Sequence, residues 1–462
     1  MFKSALVILS GNAVSALLML ARNLLIARLI SVENYGIAAT FGLALAIIEM
    51  TSTFGLQQQL VQDKRGNDPD FQAALQGFQV LRGLINAVIL FALAGPFTSF
   101  LGVPEVKWAH QVIALVLVMN GMVHFDIHRL SRQMRYVPAA LAAILSPVAA
   151  LVAIWPLEQV FGDYQVMLWS LVIQSAATAL VSHLVAERPY RMRLDRAVMA
   201  QSLRFGWPLL IDGLMLFAIF NGEKLIVGRE FGMGPLALFT MAVTLTLTPA
   251  LVLQKSAASF FLPQLSATGP EKFDGIATIS LQCHLLFGAV LVASVVVFGE
   301  AFVHLVLGAK YQGVIVLLNL LAVMQAFKVM KSGTATVAMA RAHTSNGMVS
   351  NVLRVGLLPV AWYVAVQGAG VLQVIWIGIL GEALGVAASL YLLRRQSGVS
   401  LRGLWPAILL VGLQLAITAA GANLDLPWYW QASVVALMLV APLAMPDLRR
   451  YVMNRVVTHH QD

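Results

Sequence analysis

Residues 4–29 read SALVILSGNAVSALLMLARNLLIARL, with Arg22 and Arg28 as the only charges. A helix needs roughly 20 mainly apolar residues to cross about 30 Å of hydrocarbon. The stretch is long enough for that. It is too long for the apolar core of a secretion signal, and no small-residue cleavage site precedes the next apolar run. It is therefore expected to stay in place as a first membrane span, with Lys3 in front of it.

Thirteen further segments read the same way: 36–58, 82–101, 108–124, 137–157, 165–186, 206–229, 235–259, 276–299, 313–332, 347–367, 370–392, 404–421 and 427–445. Charged clusters, Gly-Pro pairs and Asn/Asp/Gly turns separate them. The composition agrees: 59% of the 462 residues are hydrophobic and 11% charged, where a soluble domain carries about 25% charged residues. The fold class is all-α, a polytopic membrane protein of about fourteen transmembrane helices.

The net charge is +9, which by itself would allow a nucleic-acid partner. The cations are not gathered on one soluble domain, however. Twenty Lys and Arg fall in the loops on the side of the N-terminus, among them Lys64, Arg65, Arg82, Arg129, Arg132, Arg135 and the run from Arg188 to Arg204. The other side has Lys107 and Lys310, with Arg28 and Arg229 at its margins. Positive charge accumulates on the cytoplasmic side of membrane proteins, so both termini are expected in the cytoplasm and no nucleic-acid partner is expected. The single cysteine, Cys283, excludes a disulfide framework and a cysteine metal site.

No loop is large enough to be a domain. Those near 59–81 and 187–205 mix charges with apolar residues at helical spacing, such as Phe71, Leu75 and Phe78, and are expected to form short interfacial helices. Leu24-Leu-Ile-Ala-Arg28 ends the first span, and Leu225-Ile-Val-Gly-Arg229 ends the seventh, six spans later. An even offset makes both copies cross in the same direction. The expected organisation is a six-helix lobe over 1–186, a cytoplasmic linker over 187–205, and a second six-helix lobe over 206–392. An extra helix pair over 404–445 and a cytoplasmic tail over 446–462 complete it.

Several stretches resemble a known family. Asn221-Gly-Glu-Lys-Leu-Ile-Val-Gly-Arg-Glu-Phe-Gly232, followed by Leu236-Ala-Leu-Phe-Thr-Met-Ala242, resembles spans seven and eight of the polysaccharide transporters, the Wzx-like oligosaccharide flippases. Pro249 and Phe260-Phe-Leu-Pro-Gln-Leu-Ser266 fit the end of that family's eighth helix. Ser31-Val-Glu-Asn-Tyr-Gly36, Leu305-Val-Leu-Gly-Ala-Lys-Tyr-Gln-Gly-Val314 and Ala338-Met-Ala-Arg341 resemble its later and earlier turns in the right order. The family belongs to the MOP (multidrug/oligosaccharidyl-lipid/polysaccharide) exporter superfamily, with the multidrug-and-toxin (MATE) exporters and the flippases of the peptidoglycan lipid precursor. The resemblance implies two six-helix lobes around a central cavity, alternating access, and export of a lipid-linked oligosaccharide or exopolysaccharide unit across the bacterial inner membrane. Many members carry Asp where Glu223 or Lys224 stands here, so polar contacts at that depth differ.

Charges inside hydrocarbon cost about 2.5–3.5 kcal/mol at a helix centre and persist where they face a bundle interior or a wet cavity. Arg22 and Glu223–Lys224 correspond under the repeat and share a depth. One reading makes them cavity-lining groups for a pyrophosphate or acidic sugar, since Arg presents a planar fork to phosphate oxygens. The other makes them an Arg22–Glu223 lock, or residues that snorkel to the headgroups. Lys255, Lys328 and Lys331 lie toward the cytoplasmic ends of their spans, as snorkelling residues or as a funnel for anionic headgroups. Arg354 and Glu382 complete the intramembrane charges with Glu49 and Asp212. Glu49 and Asp212 are candidates for coupling to a proton or sodium ion, because a desolvated carboxylate exchanges protons near neutral pH.

His124-x-Asp-x-His128 at a helix end lacks a third or fourth ligand nearby and is not read as a metal site. His459-His460 reads as solvated tail. No Walker lysine, nucleophile elbow or HExxH occurs, so neither an enzyme nor a cofactor is expected. Pro147, Pro208, Pro249 and Pro359 mark places where spans can bend, and the glycines of 356–385 allow close helix packing. The expected partners are a lipid-linked oligosaccharide, membrane lipids and polysaccharide polymerase or export components. The alternatives are a MATE-like cation-coupled antiporter, with an acidic cavity and twelve helices, and a peptidoglycan-precursor-type lipid flippase. A membrane glycosyltransferase would need a larger external loop.

Overall fold

Asp68 accepts a hydrogen bond from the Asp70 amide at 3.0 Å, and Pro69 follows it at the first helical position. Together they supply both signals that start a helix, a side-chain cap and a residue with no amide to satisfy. Ser31 caps its helix through the Asn34 amide, and Asp195 does so through Ala197 and Val198. The computed structural model describes residues 2–343, 345–422 and 429–458. In chain order its helices are α1 (Phe2–Leu29), α2 (Val32–Met50), α3 (Leu56–Gln62), α4 (Pro69–Phe100), α5 (Lys107–Gly121), α6 (Asp126–Arg132), α7 (Val137–Phe161), α8 (Gln165–Leu184) and α9 (Arg196–Phe231). They continue with α10 (Met233–Ala267), α11 (Pro270–Phe302), α12 (Gly313–Ala340), α13 (Ser345–Gly356), α14 (Leu358–Val366), α15 (Val371–Ser397), α16 (Trp405–Gly421), α17 (Tyr429–Val440) and α18 (Pro446–Thr458).

Each of the fourteen sequence segments falls on one of these helices or on a helix pair, and the chain is a multi-pass membrane protein. Among the described residues, eleven helices are long and apolar enough to cross a membrane, and thirteen if two bent pairs each count as one span. The bent pairs run through α5 with α6, at 47°, and through α17 with α18, at 73°. The start of the last segment, at 427–428, and His459 and His460 lie outside the described residues.

Two local expectations change. Phe71, Leu75 and Phe78 do not form a separate interfacial helix: they occupy the first turns of α4, which runs unbroken into the third span. They pack with Leu56 and Leu60 of α3, Phe125 and Val198. Residues 187–195 are non-helical, and α9 then continues from Arg196 through the seventh span without a break. The reason is the same in both places. In each place an aspartate cap starts the helix, at Asp68 and at Asp195, and the helix runs on from it into the span. Pro147, Pro208 and Pro249 lie inside helices, whereas Pro359 sits in the first turn of α14, after the break that separates it from α13.

The chain divides into two compact units, Met1–Ala237 and Leu238–Asp462. In the first, α1 packs along α7, α7 along α8, α4 along α5, and α2 along α9. In the second, α12 packs between α11 and α15, α13 lies on α15, and α16 packs on α11 and α17.

Candidate functional site

The first unit carries an open cavity of about 710 Å³. Ligand pockets usually hold about 300–1,000 Å³. One wall is mostly apolar, formed by Ala139, Ala142, Ala143, Ser146 and Pro147 of α7. The other walls carry amides, hydroxyls and charge: Gln79 and Arg82 of α4, Glu49 at the end of α2, Asn120 of α5, and Gln174 and Thr178 of α8.

α2 ends just after Glu49, where Gly55 takes a left-handed φ of +64°. The turn lets Arg82 reach back into it, donating from Nη1 to the Ser52 carbonyl at 3.0 Å, while Asn86 donates to Ser52 Oγ at 2.7 Å. Glu49 opens into the cavity and accepts from Asn120 Nδ2 at 2.7 Å. Asn120 Oδ1 in turn accepts from Ser175 Oγ at 2.7 Å. Arg82 Nε and His128 Nε2 are buried without a hydrogen-bond partner in the chain. A buried donor left so costs about 1–3 kcal/mol, which is common at sites built to bind something.

Arg22 is buried and reaches this site indirectly. Its Nη1 donates to Gln174 Oε1, and its Nε and Nη2 hold Asn23 Oδ1 at 3.2 and 3.0 Å. With its oxygen occupied, Gln174 keeps its amide N–H groups for other partners. The structure thus joins two of the sequence candidates, Arg22 and Glu49, around one cavity. Glu223 is buried and Lys224 half-buried on α9, and Asp212 is exposed on the same helix. Lys255 is exposed on α10. Arg82 was counted among the orientation charges. It lies instead inside α4, and its i, i+3 spacing from Gln79 was the signal that both share a face.

The second unit gathers charge on α12, α13 and α15. Lys328 and Lys331, one turn apart on α12, turn inward and not toward the membrane surface. Lys331 Nζ lies 2.6 Å and Lys328 Nζ 3.9 Å from the Glu382 carboxylate of α15. Arg354 Nε of α13 donates to it at 3.2 Å. Glu382 and Arg354 are both buried. The approach depends on glycine: a Cβ at Gly381 would stand 3.0 Å from Arg354 Cδ, and one at Gly385 would stand 3.1 Å from the Ser350 carbonyl oxygen. Among the described residues, the Glu382 carboxylate thus faces three cations.

At the basic end of the first unit, Asp126 is taken by Arg129 at 2.5 Å and by the Glu187 amide at 2.8 Å, while His124 Nδ1 accepts from the Asp126 amide at 3.1 Å. His124 and Asp126 therefore serve packing between α6 and the segment after α8, whereas His128 lines the cavity.

A lipopolysaccharide biosynthesis protein of Escherichia coli (strain K12), WzxC, is 22% identical over 362 residues, covering 76% of this chain and 72% of that protein. The succinoglycan biosynthesis transport protein ExoT of Rhizobium meliloti (strain 1021) is 25% identical over 226 residues, covering 47% of this chain and 44% of that one. The fold is similar to that of the lipid II flippase MurJ in an inward closed conformation. That match has a TM-score of 0.72 and 12% identity, covering 98% of this chain and 100% of that one. It is also similar to an inward-facing multidrug resistance MATE transporter of the MOP superfamily, with a TM-score of 0.69 and 15% identity, covering 83% and 94%. Residues 25–316, more than half of the chain, match the model of one family, and the chain therefore belongs to the polysaccharide biosynthesis proteins.

Proposed function

We propose that this protein is a flippase that moves a polyprenyl-diphosphate-linked oligosaccharide, or an exopolysaccharide unit, from the cytoplasmic to the periplasmic leaflet of a bacterial inner membrane. A glycan and its phosphates cannot cross hydrocarbon at a useful rate, because every polar group would lose its water. The observation that carries the reading is the cavity of the first unit, an open compartment with amides, hydroxyls and charges on its walls among membrane-length helices. The relatives are named for lipopolysaccharide biosynthesis and succinoglycan transport, which fits such a substrate. The two six-helix lobes, 1–186 and 206–392, would expose the substrate to each side in turn. Glu49 is the group we assign to ion coupling, because it opens into the cavity and its Asn120 bond would change on protonation. Asp212 is the second coupling candidate. Arg22, Glu223, Lys224, Lys255, Lys328 and Lys331 are the candidates for holding an anionic substrate, with the last two acting through the cationic surplus around Glu382.

The test is reconstitution in vesicles with a fluorescent polyprenyl-diphosphate oligosaccharide. Protein-dependent access of the label to a quencher outside the vesicle supports the reading. No such access, together with robust efflux of cationic dyes, would replace it with the antiporter. Glu49→Gln should remove the dependence of transport on an imposed proton or sodium gradient.

A further inference from the structure

The cavity of the first unit is well suited to one part of such a substrate and poorly suited to another. Bound phosphate calls for converging cations, but among the described lining residues Arg82 is the only Lys or Arg, and it shares the site with the Glu49 carboxylate. The remaining polar groups are amides, hydroxyls and the His128 imidazole, which both donate and accept. A sugar ring presents the matching surface: a rim of hydroxyls that each donate and accept, and a face of C–H groups. The α7 wall is apolar at Ala139, Ala142, Ala143 and Pro147, and its one hydroxyl, Ser146 Oγ, is turned back onto the Ala142 carbonyl at 2.6 Å, so a ring face can lie against it. The opposing wall offers the Glu49 carboxylate as an acceptor, and Gln174, whose oxygen is held by Arg22, as a donor. Arg82 Nε and His128 Nε2 are buried with no hydrogen-bond partner among the described residues, and both residues line this cavity.

We infer that this cavity is a subsite for uncharged, hydroxyl-rich sugar residues of the carried glycan, with α7 as its platform, and that the lipid diphosphate is held elsewhere. The inference rests on the flippase reading and specifies it. The subsite makes recognition depend on the sugar, because a site built to bond hydroxyls rejects an analogue that lacks them.

The experiment compares two probes on the full chain in lipid nanodiscs: a polyprenyl diphosphate bearing a neutral hexose disaccharide, and the same polyprenyl diphosphate without sugar. The wild type should bind the sugar-bearing probe at least tenfold more tightly. Gln174→Leu should remove that difference. Ala143→Leu, which fills the platform and touches no hydrogen bond of the network, should do the same and guards against misfolding of the first variant. Equal binding of both probes by the wild type overturns the subsite while leaving the flippase reading intact. A sugar preference that survives both variants overturns it too. Binding of neither probe removes the flippase reading along with it.

Discussion

Lys331 Nζ donates to one oxygen of the Glu382 carboxylate at 2.6 Å, while Arg354 Nε donates to the other at 3.2 Å. The carboxylate is wholly buried, and its removal would leave three cations facing one another in a poorly screened interior. Breaking a buried ion pair from one side typically costs about 3–5 kcal/mol. Glu382→Gln should therefore lower the thermal unfolding midpoint in detergent strongly. Lys331→Met should lower it much less, since Lys328 and Arg354 still face the acid. Equal losses would mean that Lys331 alone compensates Glu382.

One to two turns farther along α15, Asn346 Nδ2 donates to the Ser389 carbonyl at 2.9 Å, and Ser389 Oγ bonds to both Asn346 Oδ1 and Thr334 Oγ1. This node ties α12, α13 and α15 together. Ser389→Ala leaves two buried polar groups short of a partner, at about 1–3 kcal/mol. Ser389→Thr keeps the hydroxyl but adds a methyl group in a fully buried place. Unfolding in detergent should show Ala as clearly destabilised; an unchanged midpoint for Ala would make the node dispensable.

The helices were legible in the sequence because a membrane span is a one-dimensional signal, carried by apolar length, and all fourteen segments found helices. The positions of the charges were less legible. Depth along a span can be read from residue numbers, but which way a side chain turns depends on the neighbouring helix. Lys328 and Lys331 have sequence positions that suit the membrane surface, yet Gly381 and Gly385 bring α13 close to α15, and the lysines meet Glu382. Arg82 looked like an orientation charge because a loop was expected before it; the cap at Asp68 moves the helix start thirteen residues earlier. Gln174, a neutral amide within an apolar span, carried no charge signal, and only the fold reveals that Arg22 holds it.

At the basic end of the first unit, Arg135 bonds to Glu187 at 2.5 Å and Arg129 does so at 3.3 Å, which lowers the Glu187 carboxyl from its ordinary value of 4.5. Arg65 likewise lowers Asp63. A carboxyl lowered in the folded state contributes its full stabilisation above its ordinary value and loses it as pH falls through the lowered one. Limited proteolysis of 187–195 should thus be steady from about pH 8 to about pH 5 and should accelerate below about pH 4. Glu187→Gln should already cleave faster at neutral pH and show a weaker acid response. The opposite sign, protection on acidification, would contradict these pairings.

The α2–α9 seam gives a prediction in which two kinds of glycine behave oppositely. A Cβ at Gly213 would run into the Met50 carbonyl oxygen and lie 2.9 Å from its carbon; one at Gly206 would lie 2.6 Å from Phe54 Cα. Both obstacles are backbone, which cannot rotate aside, so the helices must separate. Gly42, also on α2, has nothing within 4 Å of its Cβ position, and there alanine only improves helix propensity, by about 0.8–1.0 kcal/mol. Gly213→Ala and Gly206→Ala should each destabilise the protein by about 1–3 kcal/mol, the usual cost of overpacking, while Gly42→Ala should be neutral or stabilising. Thermal unfolding of the three variants side by side decides it. If the seam variants unfold like wild type, α2 and α9 part easily, and the close approach at Met50 and Phe54 does not hold this end of the unit together.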